Sequence, residues 1–229
     1  MHRRAGRAGQ DLVTTADGRG RRARLTIAAV LAGALLAAGG IIGGLAIGGG
    51  QPPPTTTSAE AGFARDMQVH HAQAVEMAMA VRDLTDDEEI RQLAYDIATA
   101  QSQQSGQMHG WLSAWGLPQA PAEPSMTWMT RAPSTSGSGH DHSGAQHAPG
   151  GSMPGMATLD QLNRLRASTG ADAERLFLQL MIAHHRGGVE MADALLARSD
   201  EPAVTALARS MVRSQTAEIG YMEELLAAR

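Results

Sequence analysis

Phe63-Ala-Arg-Asp-Met67-Gln-Val-His70-His71-Ala-Gln-Ala-Val75-Glu76-Met77-Ala78 recurs 114 positions later as Phe177-Leu-Gln-Leu-Met181-Ile-Ala-His184-His185-Arg-Gly-Gly-Val189-Glu190-Met191-Ala192. Eight of the sixteen positions are identical. Packing alone explains why Phe, Val and Ala persist. It does not explain two Met and an adjacent His pair at the same places in both copies. Thioether and imidazole are the soft and borderline donors that suit copper, so the repeat points to metal chemistry as well as to architecture.

The register runs on without a gap. Thr85-Asp86 becomes Ser199-Asp200, Leu93-Ala94 becomes Leu207-Ala208, Gln101 becomes Gln215, Met108 becomes Met222 and Leu112 becomes Leu226. Apolar residues recur at helical rather than alternating spacing on both sides of the turn. Ser58 is a candidate N-cap, and Thr85-Asp-Asp-Glu88 has the form of a capping box that opens a second helix. Each unit therefore reads as a long helix, a tight capped turn and a second long helix. One such hairpin cannot bury its apolar faces alone, so the fold expected is all-α: a four-helix bundle of two tandem αα-hairpins with pseudo-twofold symmetry. Aromatic residues make up only 3% of the chain, so Ala, Leu, Ile, Val and Met must fill its core, with Phe63, Phe177, Val75 and Val189 among them.

Composition divides the rest of the chain. Residues 1–24 carry seven Arg against Asp11 and Asp17 and form a basic head, expected to be cytoplasmic. Residues 25–50 contain no charge, which is long enough to cross a bilayer core of about 30 Å as a helix. Arg21, Arg22 and Arg24 directly before this run favour a signal anchor that leaves residues 51–229 extracytoplasmic. A cleaved signal peptide, releasing a secreted protein, is the rival reading. Residues 51–57 are Pro- and Thr-rich and read as a tether. The first hairpin spans 58–118, a flexible Met/His-rich linker 119–157, and the second hairpin 158–229, preceded by a Thr158-Leu-Asp-Gln161 capping box. Cys is absent, which excludes disulfides, thiolate metal sites and a lipidated Cys.

Helix geometry shapes the metal hypothesis. At about 100° per residue, Met67, His70 and His71 share one face within about 6 Å of axial rise, and so do Met181, His184 and His185. Met77 lies about 10 Å further along the axis and cannot easily complete a site with its own His70. The symmetry suggests a crossing, with Met77 approaching the Met181/His185 end and Met191 the Met67/His71 end. Met108 and Met222 are placed to add ligands from the neighbouring helices, and His109 adjoins Met108. Glu76 and Glu190 point about 180° from the Met67 and Met181 directions and serve equally well as ion-pair partners. In the linker, His140, His142, His147, Met126, Met129, Met153 and Met156 are a second, looser set of donors, or simply a polar spacer of biased composition. Copper is the metal expected, Cu(I) first and Cu(II) second, because Met is an uncommon zinc ligand.

The duplicated Phe-x3-Met-x2-His-His-x4-Glu-Met-Ala signature, followed by a helix with a spaced Gln and Met, resembles domain-of-unknown-function family three-zero-five, the CopM-like proteins. The resemblance covers about residues 60–116 and 172–229. It implies a ferritin-like four-helix bundle and an exported or membrane-anchored copper-binding protein linked to copper homeostasis or resistance. By position it implicates Met67, His70, His71, Met77, Met181, His184, His185 and Met191, with Met108 and Met222 as secondary candidates. This chain departs from even duplication at three places. Asp66 is matched by Leu180, Ala72-Gln-Ala by Arg186-Gly-Gly, and His109 by Glu223. The glycine pair is expected to weaken its helix, since each Gly costs about 1 kcal/mol against Ala.

The function expected is a non-catalytic copper scavenger or chaperone, with no catalytic residues. Its partners would be copper ions, the membrane through residues 25–50, and a protein that donates or accepts copper, with self-association left open. A ferritin-like metal-dependent oxidase is the first alternative, but that chemistry draws on a Glu-x-x-His motif, and neither Glu76 nor Glu190 has a His three residues on. A membrane-tethered interaction domain with structural histidines is the second. Nothing in the exported part suggests nucleic-acid binding, a phosphate loop or a nucleophile–base pair.

Overall fold

The computed structural model describes residues 52–133 and 148–229. Among them are five α-helices and no strand: α1 (Ala59–Leu84), α2 (Glu88–Ala114), α3 (Leu159–Ala167), α4 (Gly170–Leu196) and α5 (Pro202–Ala227), with a short 3-10 turn at Thr127–Thr130. Ser58 caps α1, its hydroxyl accepting from the Ala61 amide at 3.3 Å. The turn before α2 differs from expectation. Asp87, not Thr85, is the N-cap, and its carboxylate accepts from the amides of Glu89 and Ile90 at 2.9 and 3.0 Å. A carboxylate one residue before the helix reaches two unpaired amides, which leaves the Thr85 hydroxyl free for other work. It accepts from the Asp87 amide at 3.0 Å and donates to Glu174 Oε1 at 2.5 Å, tying the first hairpin to α4. In the second copy Ser199 accepts from the Glu201 amide at 3.2 Å, and Pro202 opens α5 where a missing amide costs nothing. The Thr158–Gln161 capping box forms as expected.

Helices α1 and α2 pack as one hairpin and α4 and α5 as the other, and the hairpins meet where α1 crosses α4. Two apolar clusters lie along that crossing, each drawn from both hairpins. One holds Met77, Ile90, Ile97, Phe177, Met181 and Met222, and the other Phe63, Met67, Met108, Leu112, Met191 and Met211. Met77 thus shares a cluster with Met181, and Met67 with Met191, which requires α1 and α4 to run antiparallel. The pseudo-twofold then falls between His70 and His184. Each fully buried Met, Leu, Ile or Phe contributes about 1.5–3 kcal/mol, so a core with few aromatics is held by many aliphatic contacts. Val75 and Val189, expected in the core, are half-buried at its edge.

The segment 119–157, expected to be a flexible spacer, is packed onto the bundle at both described ends. Met126 and Trp128 are buried, and Asp66 Oδ2 accepts from the Met126 amide at 2.7 Å and from Trp128 Nε1 at 2.9 Å. Trp128 meets Phe63 edge-on at 5.8 Å and packs against Gly62, where a Cβ would be 2.6 Å from the indole Cδ1. Asp66 therefore latches the linker. Its repeat partner Leu180 is buried in an apolar cluster instead, with Leu178, Ile182 and Met181.

At the other end, Gln73 clamps Ala157 with both ends of its amide, at 3.0 and 2.7 Å. Helix α3 is pinned to α1 by the Arg166–Glu76 ion pair. Among the described residues no helix is long and apolar enough to cross a membrane. The head 1–24, the expected membrane helix 25–50, and His140, His142 and His147 lie outside the described residues.

Candidate metal centre

The two His-His pairs sit where α1 and α4 cross, and all four imidazoles are fully buried. His70 and His184 stack across the pseudo-twofold with ring centroids 3.7 Å apart. His71 and His185 flank them, each 6.4 Å from its sequence neighbour. Every Nε2 has a partner: His70 the carbonyl of Pro154 at 3.0 Å, His71 the Gln104 Oε1 at 2.8 Å, His184 the carbonyl of His70 at 2.9 Å, and His185 the Glu218 Oε2 at 2.6 Å. All four partner atoms are acceptors, so all four Nε2 carry the proton and donate.

In a neutral ring that assignment leaves the lone pair on the other nitrogen, and all four Nδ1 atoms are buried without a hydrogen-bond partner in the protein. An unsatisfied buried acceptor costs about 1–3 kcal/mol, so four in one place are a substantial debt in the metal-free fold. Burial also keeps His70, His71 and His184 neutral. Desolvation first, then the neighbouring ring, pushes His71 down to about 3, and desolvation pushes His70 down to about 4. His184 is lowered well below its usual value by burial and by the other three imidazoles. A neutral imidazole with one nitrogen donating to a carbonyl or carboxylate and the other bare is the state in which histidine binds metal.

Six of the methionines singled out by the repeat are fully buried on either side of this core. Met67 is one turn from His71, and Gln104, which holds His71, is one turn from Met108 on the facing helix. Met191 completes that cluster. By the same spacing Met181 is one turn from His185, Glu218 is one turn from Met222, and Met77 joins them. The structure therefore divides the six methionines into two symmetry-related clusters, Met67, Met108 and Met191 in one and Met77, Met181 and Met222 in the other, with the four histidines buried where α1 and α4 cross. Among the described residues no three of His, Cys, Asp and Glu are grouped to hold a metal.

Other candidates are placed elsewhere. His109 is exposed, Glu76 is engaged by Arg166, and Met126 is core under Trp128. Met129 and Met153 are half-buried against the Met67 cluster, and Met156 is half-buried beside Pro154. Asp66 is raised, by burial above all, and Asp96 on α2 is raised by burial and by Glu218.

Three groups of residues carry functions that the repeat did not flag. Gln104 and Glu218 occupy equivalent positions but differ, so a search for identities passes over them. Gln101 and Gln215, useful above only as register markers, are buried beside them with unpartnered amide atoms. Gly187 and Gly188 make room. A Cβ on Gly187 would stand 2.0 Å from the Pro154 carbonyl oxygen, and one on Gly188 would stand 2.4 Å from Gln215 Oε1. Gly155, at φ +71°, passes so close that its own Cβ would be 2.2 Å from the Ala183 carbonyl. Of the glycine pair, read from sequence as a weakness of its helix, Gly187 admits the Pro154 strap and Gly188 admits the Gln215 amide.

The family model for the domain of unknown function DUF305 matches residues 60–226. The chain belongs to the DUF305 family. A DUF305 protein from Streptomyces coelicolor, assigned to the secreted proteins, is 48% identical and superposes with a TM-score of 0.66 over 76% of this chain and 95% of that one. A DUF305 fragment from Deinococcus radiodurans is 36% identical, with a TM-score of 0.59 over 78% of this chain and 100% of that one. CopM in its Cu(II)-bound form is 25% identical, with a TM-score of 0.53 over 75% of this chain and 97% of that one. CopM in Cu(I)-bound and Ag-bound forms, at 23% and 22% identity, shares the fold with TM-scores of 0.53. No curated protein matches the chain.

Proposed function

We propose that the protein is an exported copper-binding protein, a scavenger or chaperone, that holds the metal without catalysis through Met and His side chains. The observation that carries this reading is the set of four buried Nδ1 atoms, each on a ring whose Nε2 donates to the protein and each left without a partner. Six buried thioethers flank them, and the mixture of soft sulfur and borderline nitrogen suits Cu(I), with Cu(II) accommodated by imidazole. His71 with Met67, Met108 and Met191 would hold one ion, and His185 with Met181, Met222 and Met77 another. His70 and His184 lie between the two and would accept an ion from either side. The copper- and silver-bound forms of CopM support a metal-binding role for this fold.

The assignment of the Streptomyces neighbour to the secreted proteins supports an extracytoplasmic location. We place residues 25–50 in the membrane as the anchor. The test is competition for Cu(I) between the full-length chain and a chromogenic chelator, repeated after replacing His70, His71, His184 and His185 by Ala. Strong competition that the four substitutions abolish is expected, and failure of the intact chain to compete would reject the reading. Alkaline extraction of membranes tests the anchor, since a released chain would have lost residues 25–50.

A further inference from the structure

The pseudo-twofold makes the two halves of the centre nearly equal, and one pair of atoms breaks the equality. His71 and His185 are both fully buried, both donate from Nε2, and both leave Nδ1 without a partner in the protein. Each has a methionine one turn before it on its own helix and another one turn beyond its hydrogen-bond acceptor. The acceptors themselves are 114 residues apart, at matching places in the repeat, yet one is the neutral amide of Gln104 at 2.8 Å and the other the carboxylate of Glu218 at 2.6 Å.

We propose that this Gln104/Glu218 difference makes the two halves unequal, so that the His185 half holds a monovalent soft cation more tightly than the His71 half. The inference rests on the metal-binding reading above and concerns the same site. Two physical effects act in the same direction. A carboxylate accepting from Nε2–H pushes electron density onto the ring and strengthens Nδ1 as a donor, as acceptors behind metal-bound histidines generally do. The charge matters as well. A monovalent cation held by neutral imidazole and thioethers is a buried positive charge, which is costly unless a counter-charge lies near. Glu218 is 7% exposed, and its carboxylate accepts from the Nε2–H of His185, so it supplies that counter-charge within one ring of the metal. Gln104 supplies none. The outcome is a tight site and a looser one connected through the stacked His70–His184 pair, an arrangement suited to keeping one ion while passing another on.

The experiment is titration of the full-length chain with Ag(I), which is redox-inert, and with Cu(I) against a chelator, each fitted for two sites. The expected result is two affinities at least 10-fold apart. Glu218→Gln should weaken the tighter site 10- to 100-fold and bring it to the level of the other, without changing stoichiometry. Gln104→Glu should tighten the looser site. Both variants install the residue that the other half already uses, so both keep an acceptor at Nε2 and are expected to fold. A readout without metal accompanies them: the Nε2–H proton of His185 should resonate further downfield than that of His71, and Glu218→Gln should remove the difference. Equal sites in the parent chain, or affinities that neither substitution moves, would overturn the inference while leaving metal binding intact. No binding of either ion by the parent chain would reject the underlying reading instead.

Discussion

Acidifying the metal-free protein should cost it stability at a pH where most small domains are comfortable. His70 and His71 have folded-state pKa values of about 4 and about 3, against 6.5 when unfolded. Because the folded values are depressed, the unfolded chain binds more protons between these limits, and stability falls as pH falls. The contribution is fully present above about pH 6.5 and disappears progressively as pH drops toward the folded values. From pH 7 to about pH 4.5 each ring costs roughly 2–3 kcal/mol, about 5 kcal/mol for the pair, and His184 adds in the same direction. The raised carboxyls of Asp66 and Asp96 oppose this, since they take up protons more readily in the folded state. A loss near 5 kcal/mol is comparable with the whole stability of a typical domain, about 5–15 kcal/mol, so the metal-free protein should be close to unfolding at the lower pH. Urea denaturation at both pH values, in the presence of a chelator, measures the difference directly. Histidine ring resonances followed by NMR report the protonation state alongside. A stability that changes by less than about 1 kcal/mol across the window, or buried rings that titrate near 6.5, would refute the burial and proton assignment on which the site is built.

Gly187→Ala gains about 1 kcal/mol of helix propensity but places a Cβ 2.0 Å from the Pro154 carbonyl oxygen. The strap should lift from His70, raising hydrogen exchange across residues 153–157. Gly106→Ala, Gly110→Ala and Gly220→Ala meet nothing within 4 Å and should each stabilise by up to about 1 kcal/mol in thermal unfolding, which separates the strap clash from the general effect. Trp128→Ala removes a side chain that is 2% exposed and should cost about 3–5 kcal/mol by urea denaturation. Met77→Leu conserves volume and should cost less than about 1.5 kcal/mol, yet weaken Cu(I) binding in chelator competition at the half of the centre built from the other copy's His185. Unchanged affinity would leave Met77 as core alone.

The repeat was legible because duplication preserves what both copies need. Met67, His70, His71 and Met77 recur at fixed spacing, and the register of Met108 and Met222 extended the unit into a second helix. What the two copies do differently was much harder to read. Asp66 and Leu180 differ in that Asp66 holds the linker turn with Trp128 and Leu180 joins an apolar cluster. Gln73 and Gly187 differ because the strap runs between them, held by the amide of one and admitted by the missing side chain of the other. Composition suggested a mobile spacer, since Pro, Gly, Ser and Met have no helical or strand period. Yet irregular backbone can still be ordered when its amides and carbonyls find partners on the helices it crosses. The turn before α2 misled for a similar local reason, because Thr85 and Asp87 both have capping side chains and only geometry chooses between them.

By itself the sequence determined an all-helical, duplicated architecture and the set of soft and borderline donors, because helical periodicity and repeated residue identity are properties of the chain. Only the tertiary structure decided how those donors meet. The antiparallel crossing of α1 and α4 brings Met77 into one cluster with Met181 and Met191 into the other with Met67, and stacks His70 on His184. It also fixes the proton on every Nε2, through acceptors contributed by the strap, the facing helices and the other copy's backbone. Those acceptors lie up to 114 residues away in the chain. A tautomer depends on what lies within about 3 Å of a ring nitrogen, and no local pattern records that.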